Sequence, residues 1–590
     1  MRTPRRPSLY FSASSGLFAF VLILWMSSRF TVLYDYSFVV NTSWRWQQGL
    51  TPYVDQIVAL PPATFAIVAT LFTIFGVNST VFAVIGAANA GASSFLLSEI
   101  YYKTVNEPRK GLATFAVRIV SVGVFGVLNT QIVLQFPFYD CFAATCILYL
   151  VYKIVSFEHP GRRSSLFAIG VVASMPLFFK LNVGAFSILG TCIWLFSEMY
   201  IVKRIAKSDR LRVACAFFSG LLMLPFIFLL WLLSEQAFRS FIMYAISGPT
   251  STKSVFSLEQ VQFNITSSSG LIVFIATMIG LSRMPATAKG NLLVSITYAI
   301  MSTPLFMGLL ILVFPNIWNP LDLVPEISPT WIDIWPVSVL LGPLLLFFSS
   351  KKIDNGDKHR YVVVLLSLTL IGFHMSQGFE GSSYATAPIV MSLFFLVSQS
   401  RMNISKRVEL RKLSALITVI FPALFAAWML QYGLSGNRLA YADILPIKEN
   451  VIVGGETNRF IALKSDDATA FGELVNELEK YKGRTVLELP MEDPMPFLIE
   501  EHIPWGLCAQ ADNNTCPQID RMSIQMTEEP PSVVIIKTKT QLANQGLEFW
   551  SQQMILRVEN CYVQKSVIGS NYVIWESAID TKKCLQAFNE

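Results

Sequence analysis

Charge is what this sequence has least of. Asp, Glu, Lys and Arg make up 14% of its 590 residues, and histidine occurs four times. A soluble domain carries roughly 25% charged residues. So few cannot cover a water-facing globule of this size, which excludes a wholly soluble protein and makes the bilayer the solvent for most of the chain. Internal repeats, low-complexity tracts and heptads are all missing, which excludes solenoids and coiled coils. The cysteine spacing fits no zinc site. The net charge of +6 is scattered in short clusters and forms no basic module with stacking aromatics, which argues against nucleic-acid binding. The basic segment 1–7 precedes a long apolar run without a small-residue cleavage site, so no cleavable signal is expected.

What is present is apolar: 53% hydrophobic residues, 45 of them Phe. Runs near the length needed to cross about 30 Å of hydrocarbon lie at 12–33, 80–99, 112–129, 139–156, 165–179, 183–201, 213–233, 263–282, 291–313, 335–350, 361–376, 386–400 and 412–431, about thirteen crossings. The fold class expected is mostly α: a polytopic membrane helix bundle over 1–433, followed by a soluble α/β domain over 434–590. Basic clusters punctuate the runs: Arg2, Arg5 and Arg6; Arg162 and Arg163; Lys203, Arg204, Lys207, Arg210 and Arg212; Lys351 and Lys352; Arg401, Lys406, Arg407, Arg411 and Lys412. The positive-inside rule assigns these to cytoplasmic loops. The N-terminus is then cytoplasmic, the tail extracytoplasmic, and the setting a plasma or bacterial inner membrane. That orientation holds only if the apolar stretch 58–76 does not cross fully. It reads as a re-entrant helix, an interface-lying helix or part of one interrupted crossing.

The eight cysteines divide by environment. Cys141, Cys146, Cys192 and Cys215 lie in apolar segments as packing residues. Cys508, Cys516, Cys561 and Cys584 lie in the polar tail, an even number that suits two disulfides in an oxidising compartment; Cys508 with Cys516 and Cys561 with Cys584 is the pairing considered. In the tail, Asp467 is placed to cap a helix with the apolar stripe Phe471, Leu474, Val475, Leu478 and Tyr481, ended by Gly483. Strands are expected at 485–489, 533–536 and 572–575, and another helix at 539–556.

The loops assigned to the outer face are longer and richer in Trp, Tyr, Pro, Asp and Gln than those opposite, which places the working surface there. The first, at 33–62, reads LYDYSFVVNTSWRWQQGLTPYVDQIVALPP. Asp35 directly follows the first crossing, and Asp55 comes twenty residues later, after the Gly49-to-Tyr53 turn. Trp44 and Trp46 read as interface anchors. QFPFYD at 135–140 opens a crossing from the outer side, with Tyr139 and Asp140 at its start. FFKLNVG at 178–184 sets a lone Lys180, followed by Asn182, between two apolar runs. An ionisable residue embedded there is costly and marks function by default, against simple snorkelling of its stem. His374, at a helix end, reads as a packing residue.

An Asp, an aromatic-rich helix, Gly-x-x-Pro-Tyr-x-Asp and a Pro-Pro opening an apolar helix resemble the first extracytoplasmic loop of GT-C class membrane glycosyltransferases, the superfamily of the aminoarabinose and protein O-mannosyl transferases. Residues 12–200 carry the resemblance best. It implies a glycosyltransferase that moves a hexosyl or pentosyl group, with inversion, from a polyprenyl-phosphate donor to a glycan, lipid or protein acceptor outside the cytoplasm, in cell-envelope glycan biosynthesis. By resemblance Asp35 is the catalytic acid residue and general base, with Asp55 second. Lys180 and Asn182 meet the donor phosphate; Arg45 pairs with phosphate or with Asp35. Asp140 and Tyr139 line the substrate. From their placement alone, Arg239 and Lys253, in a loop at 234–262, are read as part of a lid over the donor, and Gln377, Glu380 and Tyr384 as lining the acceptor side, with plain connecting loops the alternative for both. Tyr36, not a second acid, follows Asp35, so a divalent metal is compatible with the class but unsupported by the sequence. The competing reading is a transporter or flippase of a lipid-linked substrate, yet no second half mirrors the first and the crossings carry almost no charge at their middles. A scaffold displaying the tail is a third, and an O-antigen-type polymerase or ligase remains within glycan chemistry.

Overall fold

The computed structural model describes residues 6–27, 30–31, 33–56, 58–104, 137–157, 162–247 and 360–376, and in the C-terminal part 437–439, 442–444, 450–454, 460–489, 503–504, 519–537, 548–569 and 572–587. The crossings expected at 112–129, 263–282, 291–313, 335–350, 386–400 and 412–431, and Lys253, Gln377, Glu380, Tyr384, Cys508, Cys516 and the His374 side chain, lie outside them.

The N-terminal part is helical: α1 (Arg6–Met26), α2 (Leu33–Gln47), α3 (Ala63–Phe75), α4 (Ser79–Thr104), α5 (Tyr139–Val155), α6 (Arg163–Ser174), α7 (Leu181–Phe196), α8 (Arg210–Ser234), α9 (Phe238–Phe241) and α10 (Arg360–Ser376). Among the described residues, three helical stretches are long and apolar enough to cross a membrane: Ser79–Lys103, Leu181–Ile201 and Lys207–Ser234. The first apolar run ends earlier than its hydropathy suggested. Its helix stops at Met26, and Phe30–Thr31 forms a short strand, β1.

Close contacts give the direction of each helix. Ser12 Oγ donates to Glu99 Oε1 at 2.7 Å, the rings of Phe11 and Tyr102 lie 4.9 Å apart, and Gly16 and Gly91 abut so tightly that a Cβ on Gly91 would sit 3.0 Å from the Gly16 carbonyl oxygen. Residue numbers rise on α1 as they fall on α4, so the two run antiparallel, joined through small residues as membrane helices are. A full crossing between them would have made them parallel. At 13 residues α3 spans only about 20 Å. It packs instead on α2, Phe38 edge-on to Phe65 at 5.2 Å, as a helical hairpin at one end of the bundle.

The same logic extends along the chain. Ser93 and Thr145 hydrogen-bond at 2.6 Å and Lys103 lies over the Tyr152 ring at 5.2 Å, so α4 and α5 are parallel. Lys180 meets Asp140 and Phe157 meets Trp194, so α5 and α7 are parallel. Gly190 abuts Leu365 while Gly372 abuts Val183, so α7 and α10 are antiparallel. Gly170 abuts Phe217 and Leu221, and Phe178 packs edge-on to Phe228 further along, so α6 and α8 are parallel. One end of the bundle therefore gathers the loop hairpin α2–α3, the N-termini of α4, α5 and α7, and the C-termini of α1, α6, α8 and α10. The opposite end holds Lys103, Lys153, Arg162, Arg163, Lys203, Arg204, Lys207, Arg210, Arg212 and Arg360. The buried Glu198 pairs with the partly exposed Arg204 there at 3.1 Å.

The C-terminal part contains β2 (Asn437–Leu439), β3 (Ala442–Ile444), β4 (Asn450–Gly454), β5 (Phe460–Lys464), α11 (Ser465–Leu478), β6 (Thr485–Leu489), β7 (Ile503–Pro504), α12 (Ile519–Glu528), β8 (Val533–Lys537), α13 (Glu548–Cys561), β9 (Tyr562–Ile568), β10 (Tyr572–Ser577) and α14 (Thr581–Ala587). A five-stranded sheet runs in the order β7-β6-β8-β10-β9. The β6–β7 and β6–β8 pairs are parallel; β8–β10 and β10–β9 are antiparallel. Alternation along β8 divides its apolar residues between two faces. Val533 and Ile535 pack with Phe471 and Leu474 of α11, while Val534 and Ile536 pack with Met526, Met554 and Leu585 of α12, α13 and α14. Gly483 adopts φ +74, the left-handed stop expected for α11. Asp467 lies inside α11 and does not cap it, because the helix starts at Ser465 directly after β5. The helix expected at 539–556 is observed from Glu548 to Cys561, whose end a disulfide ties to Cys584 on α14. β1 pairs antiparallel with β3, Phe30 opposite Ile444, which fastens the end of α1 to the start of the C-terminal part.

Candidate functional site

Lys180 and Asp140 are buried at the loop-bearing end of the bundle. Pro176 is the acceptor that stops α6: its carbonyl takes the N–H groups of Phe179 and Lys180, and Lys180 stands extended before α7 at φ −154. Phe138 is likewise extended, so α5 opens with Tyr139 and Asp140. The two starts converge. Lys180 Nζ donates to the Asp140 carboxylate at 2.6 Å, with Lys180 6% and Asp140 1% exposed. The ammonium also lies 5.5 Å from the Tyr139 ring centre and 5.7 Å from that of Phe373 on α10, an aromatic lining favourable to a cation. Phe142 stacks on Phe179 at 5.4 Å just below. A paired charge of this kind survives desolvation where a lone one would not.

The depth of the pair follows from helix register. Ser93 of α4 faces Thr145 of α5, so Asp140 lies level with about residue 88 of α4. The first turns of α4 therefore rise roughly 13 Å beyond the ion pair. Against that projecting wall docks the start of α2. Tyr36 packs edge-on to Phe82 at 4.9 Å and hydrogen-bonds Ser79. Burial pushes the Tyr36 phenol well above its ordinary range, so it remains a neutral hydrogen-bonding group. Asp35 precedes Tyr36 in the first turn of α2. The helical turn carrying Asp35 and the Lys180–Asp140 pair thus belong to one end of the bundle, separated along its axis by about two to three helical turns.

The remaining loop residues have more local tasks. Asp55 is exposed, and its carboxylate accepts the Thr51 N–H at 2.7 Å, closing the turn in which Gly49 and Tyr53 take positive φ. Tyr53 is buried and donates to the Leu60 carbonyl at 2.6 Å. Arg45 is buried in the last turn of α2. Trp44 is buried too, a packing residue and not the interface anchor its type suggested, while Trp46 packs on Trp231 of α8 at 5.8 Å. Asn182 is half-buried in the first turn of α7, and Arg239 is exposed on α9. Among the described residues no group of three His, Cys, Asp or Glu is placed to hold a metal. Cys141 and Cys146 are buried thiols outside any disulfide, as their apolar setting suggested, whereas Cys215 is exposed. Sequence reasoning passed over Asn89, one polar residue in the Ala-Ala-Asn-Ala-Gly stretch of α4, and Glu198; a polar residue inside a crossing was the available signal.

No family model and no curated protein matches the chain. Solved structures do. The chain is similar to ArnT, the aminoarabinose transferase, from Cupriavidus metallidurans bound to undecaprenyl phosphate, at 11% identity and a TM-score of 0.43 over 97% of this chain and 98% of that one. It is also similar to the Archaeoglobus fulgidus oligosaccharyltransferase in complex with Zn and sulfate, at 11% identity and a TM-score of 0.45 over 96% of this chain and 72% of that one. The oligosaccharyltransferase AglB of the same organism, in complex with an inhibitory peptide and a dolichol-phosphate, matches at 11% identity and 0.41. The proteins that this chain resembles are thus GT-C glycosyltransferases, one of them the transferase type anticipated from its first loop.

Proposed function

We propose that the chain is an integral membrane glycosyltransferase that moves a sugar from a polyprenyl-phosphate donor to an acceptor hydroxyl on the extracytoplasmic face. The observation that carries this reading is the buried Lys180–Asp140 pair recessed beneath the α2–α3 hairpin. An ammonium is the group that receives a leaving phosphate, and this one is embedded between helices of the bundle. Segregation of the basic residues to the opposite end supports a cytoplasmic assignment for that end, which puts the recess outside. Outside the cytoplasm nucleotide sugars are unavailable, and a lipid-linked donor solves the supply. Residues 1–433 form the catalytic membrane module, and 434–590 an extracytoplasmic domain joined to it through β1 and β3.

Asp35 is the general base. It takes the proton from the acceptor hydroxyl as that oxygen attacks the anomeric carbon; the carbon–oxygen bond to phosphate breaks, the phosphate leaves with the electron pair, and the centre inverts. Lys180 neutralises the charge growing on the phosphate, aided by Asn182, in a low-dielectric pocket. Asp140 holds the ammonium in place. Axial separation of the Asp35 turn from Lys180 is comparable with the length of one sugar and its phosphate. Asp55 is committed to its turn and takes no part.

The test is Asp35→Asn in the purified full-length protein, supplied with a polyprenyl-phosphate sugar. Transfer is expected to fall on the order of 10²–10⁴-fold, the usual contribution of a general base, with folding and membrane insertion retained. Transfer at the wild-type rate would remove Asp35 from the mechanism.

A further inference from the structure

We propose that Asn89 is a binding residue for the phosphate head group of the donor, its side-chain amide donating a hydrogen bond beside Lys180. The inference rests on the lipid-linked donor proposed above. Asn89 is 5% exposed, and among the described residues its Nδ2 has no hydrogen-bond partner. A buried amide N–H is costly to leave unpaired, and native interiors rarely do so without a reason. Its place in the fold supplies one. Four residues below it, on the same face of α4, Ser93 hydrogen-bonds Thr145 of α5 at 2.6 Å, and Thr145 in turn donates to the Cys141 carbonyl at 2.9 Å. Because α4 and α5 run parallel, one turn upward from Ser93 on α4 corresponds to one turn upward from Thr145 on α5. Asn89 therefore stands opposite Cys141, at the level of Asp140. Its neighbours Ala87, Ala88, Ala90 and Gly91 are all small, leaving the amide as the polar feature of this stretch. The helix packed beside α5 thus brings a neutral N–H donor to the level of the ion pair.

A phosphate monoester or diester has more acceptor oxygens than one ammonium can satisfy, and Lys180 already shares its charge with Asp140. A neutral donor adds a hydrogen bond without adding charge, which suits a recess whose ammonium is already balanced by Asp140.

The experiment measures binding of undecaprenyl phosphate, with undecaprenol as the phosphate-free control, to the full-length protein in lipid nanodiscs. Asn89→Leu keeps the shape and removes the N–H. It is expected to weaken undecaprenyl phosphate binding roughly tenfold or more, as loss of a hydrogen bond to a charged group does, and to leave undecaprenol binding unchanged. Asn89→Ser, which keeps a shorter donor, falls between the two. Wild-type affinity in Asn89→Leu, or a lowered melting temperature with affinity unchanged, overturns the inference; if Asn89→Leu does not fold, wild-type affinity in Asn89→Ser does the same. A wild-type protein that binds no undecaprenyl phosphate overturns the donor reading and this inference with it. Loss of binding in the Lys180→Met/Asp140→Leu double variant but not in Asn89→Leu sinks the role of Asn89 alone.

Discussion

Removing Lys180 alone leaves a buried carboxylate without its ammonium, and removing Asp140 alone leaves the converse. Either single change is therefore expected to cost about 3–5 kcal/mol of stability. The double variant Lys180→Met/Asp140→Leu, with both charges gone, should recover most of that loss while remaining inactive. Thermal melting of the four proteins in one detergent checks this; additive losses would mean that the pair is not a unit. A second ionic site, at the surface of the C-terminal sheet, responds to pH. Glu576 pairs with Arg484 and, at 3.3 Å, with Lys565, and the Arg484 hydrogen bond holds its carboxyl below the ordinary range. A carboxyl depressed on folding stabilises the native state above its unfolded pKa and loses that contribution as pH falls through the folded value. Glu576→Gln should lower the melting temperature at neutral pH, and the difference should shrink toward zero in acid. A difference that does not change with pH would contradict this. Lys180 and Asp140 were legible in the sequence because a charge bordering an apolar run stands out. Asn89 was not, since a lone amide among alanines carries no charge, and its meaning comes only from the register of α4 on α5.

At the scale of elements, close helix contacts fix the topology that the site needs. A side chain at Gly91 would press on the Gly16 carbonyl 3.0 Å away. Gly91→Val is expected to destabilise the protein by about 1–3 kcal/mol, the usual cost of overpacking, measured as a fall in melting temperature; an unchanged value would mean that α1 and α4 do not meet there. Apolar length and basic punctuation in the sequence were enough to place α4, α5, α6, α7 and α8 and to refuse 58–76 a full crossing. The stripe on α11 and its glycine stop were equally plain, because 3.6-residue periodicity and a left-handed cap are local. Boundaries set by long-range pairing were not. The first helix was read too far because Phe30, Val32 and Leu33 resume the apolar run after Ser27, Ser28 and Arg29, and only the pairing of Phe30 and Thr31 with β3, more than 400 residues away in the chain, makes them a strand. The short strand β7 and the helices α12 and α14 were missed for a similar reason: each is brief, and tertiary packing decides it.

At the scale of the molecule, one end of the bundle carries an aromatic loop hairpin, a recessed ion pair and a strand link to the C-terminal part, and the other carries the basic clusters between helices. Chemistry proposed for the first end requires that a lipid-borne phosphate reach Lys180. The most direct measurement is a structure of the full-length protein in nanodiscs with undecaprenyl phosphate bound. The account predicts the phosphate within hydrogen-bonding distance of Lys180 Nζ, beneath the α2–α3 hairpin, with the isoprenoid chain leaving the recess toward lipid. A phosphate bound at the basic end, or a Lys180–Asp140 pair walled off from the lipid by packed helices, would contradict it.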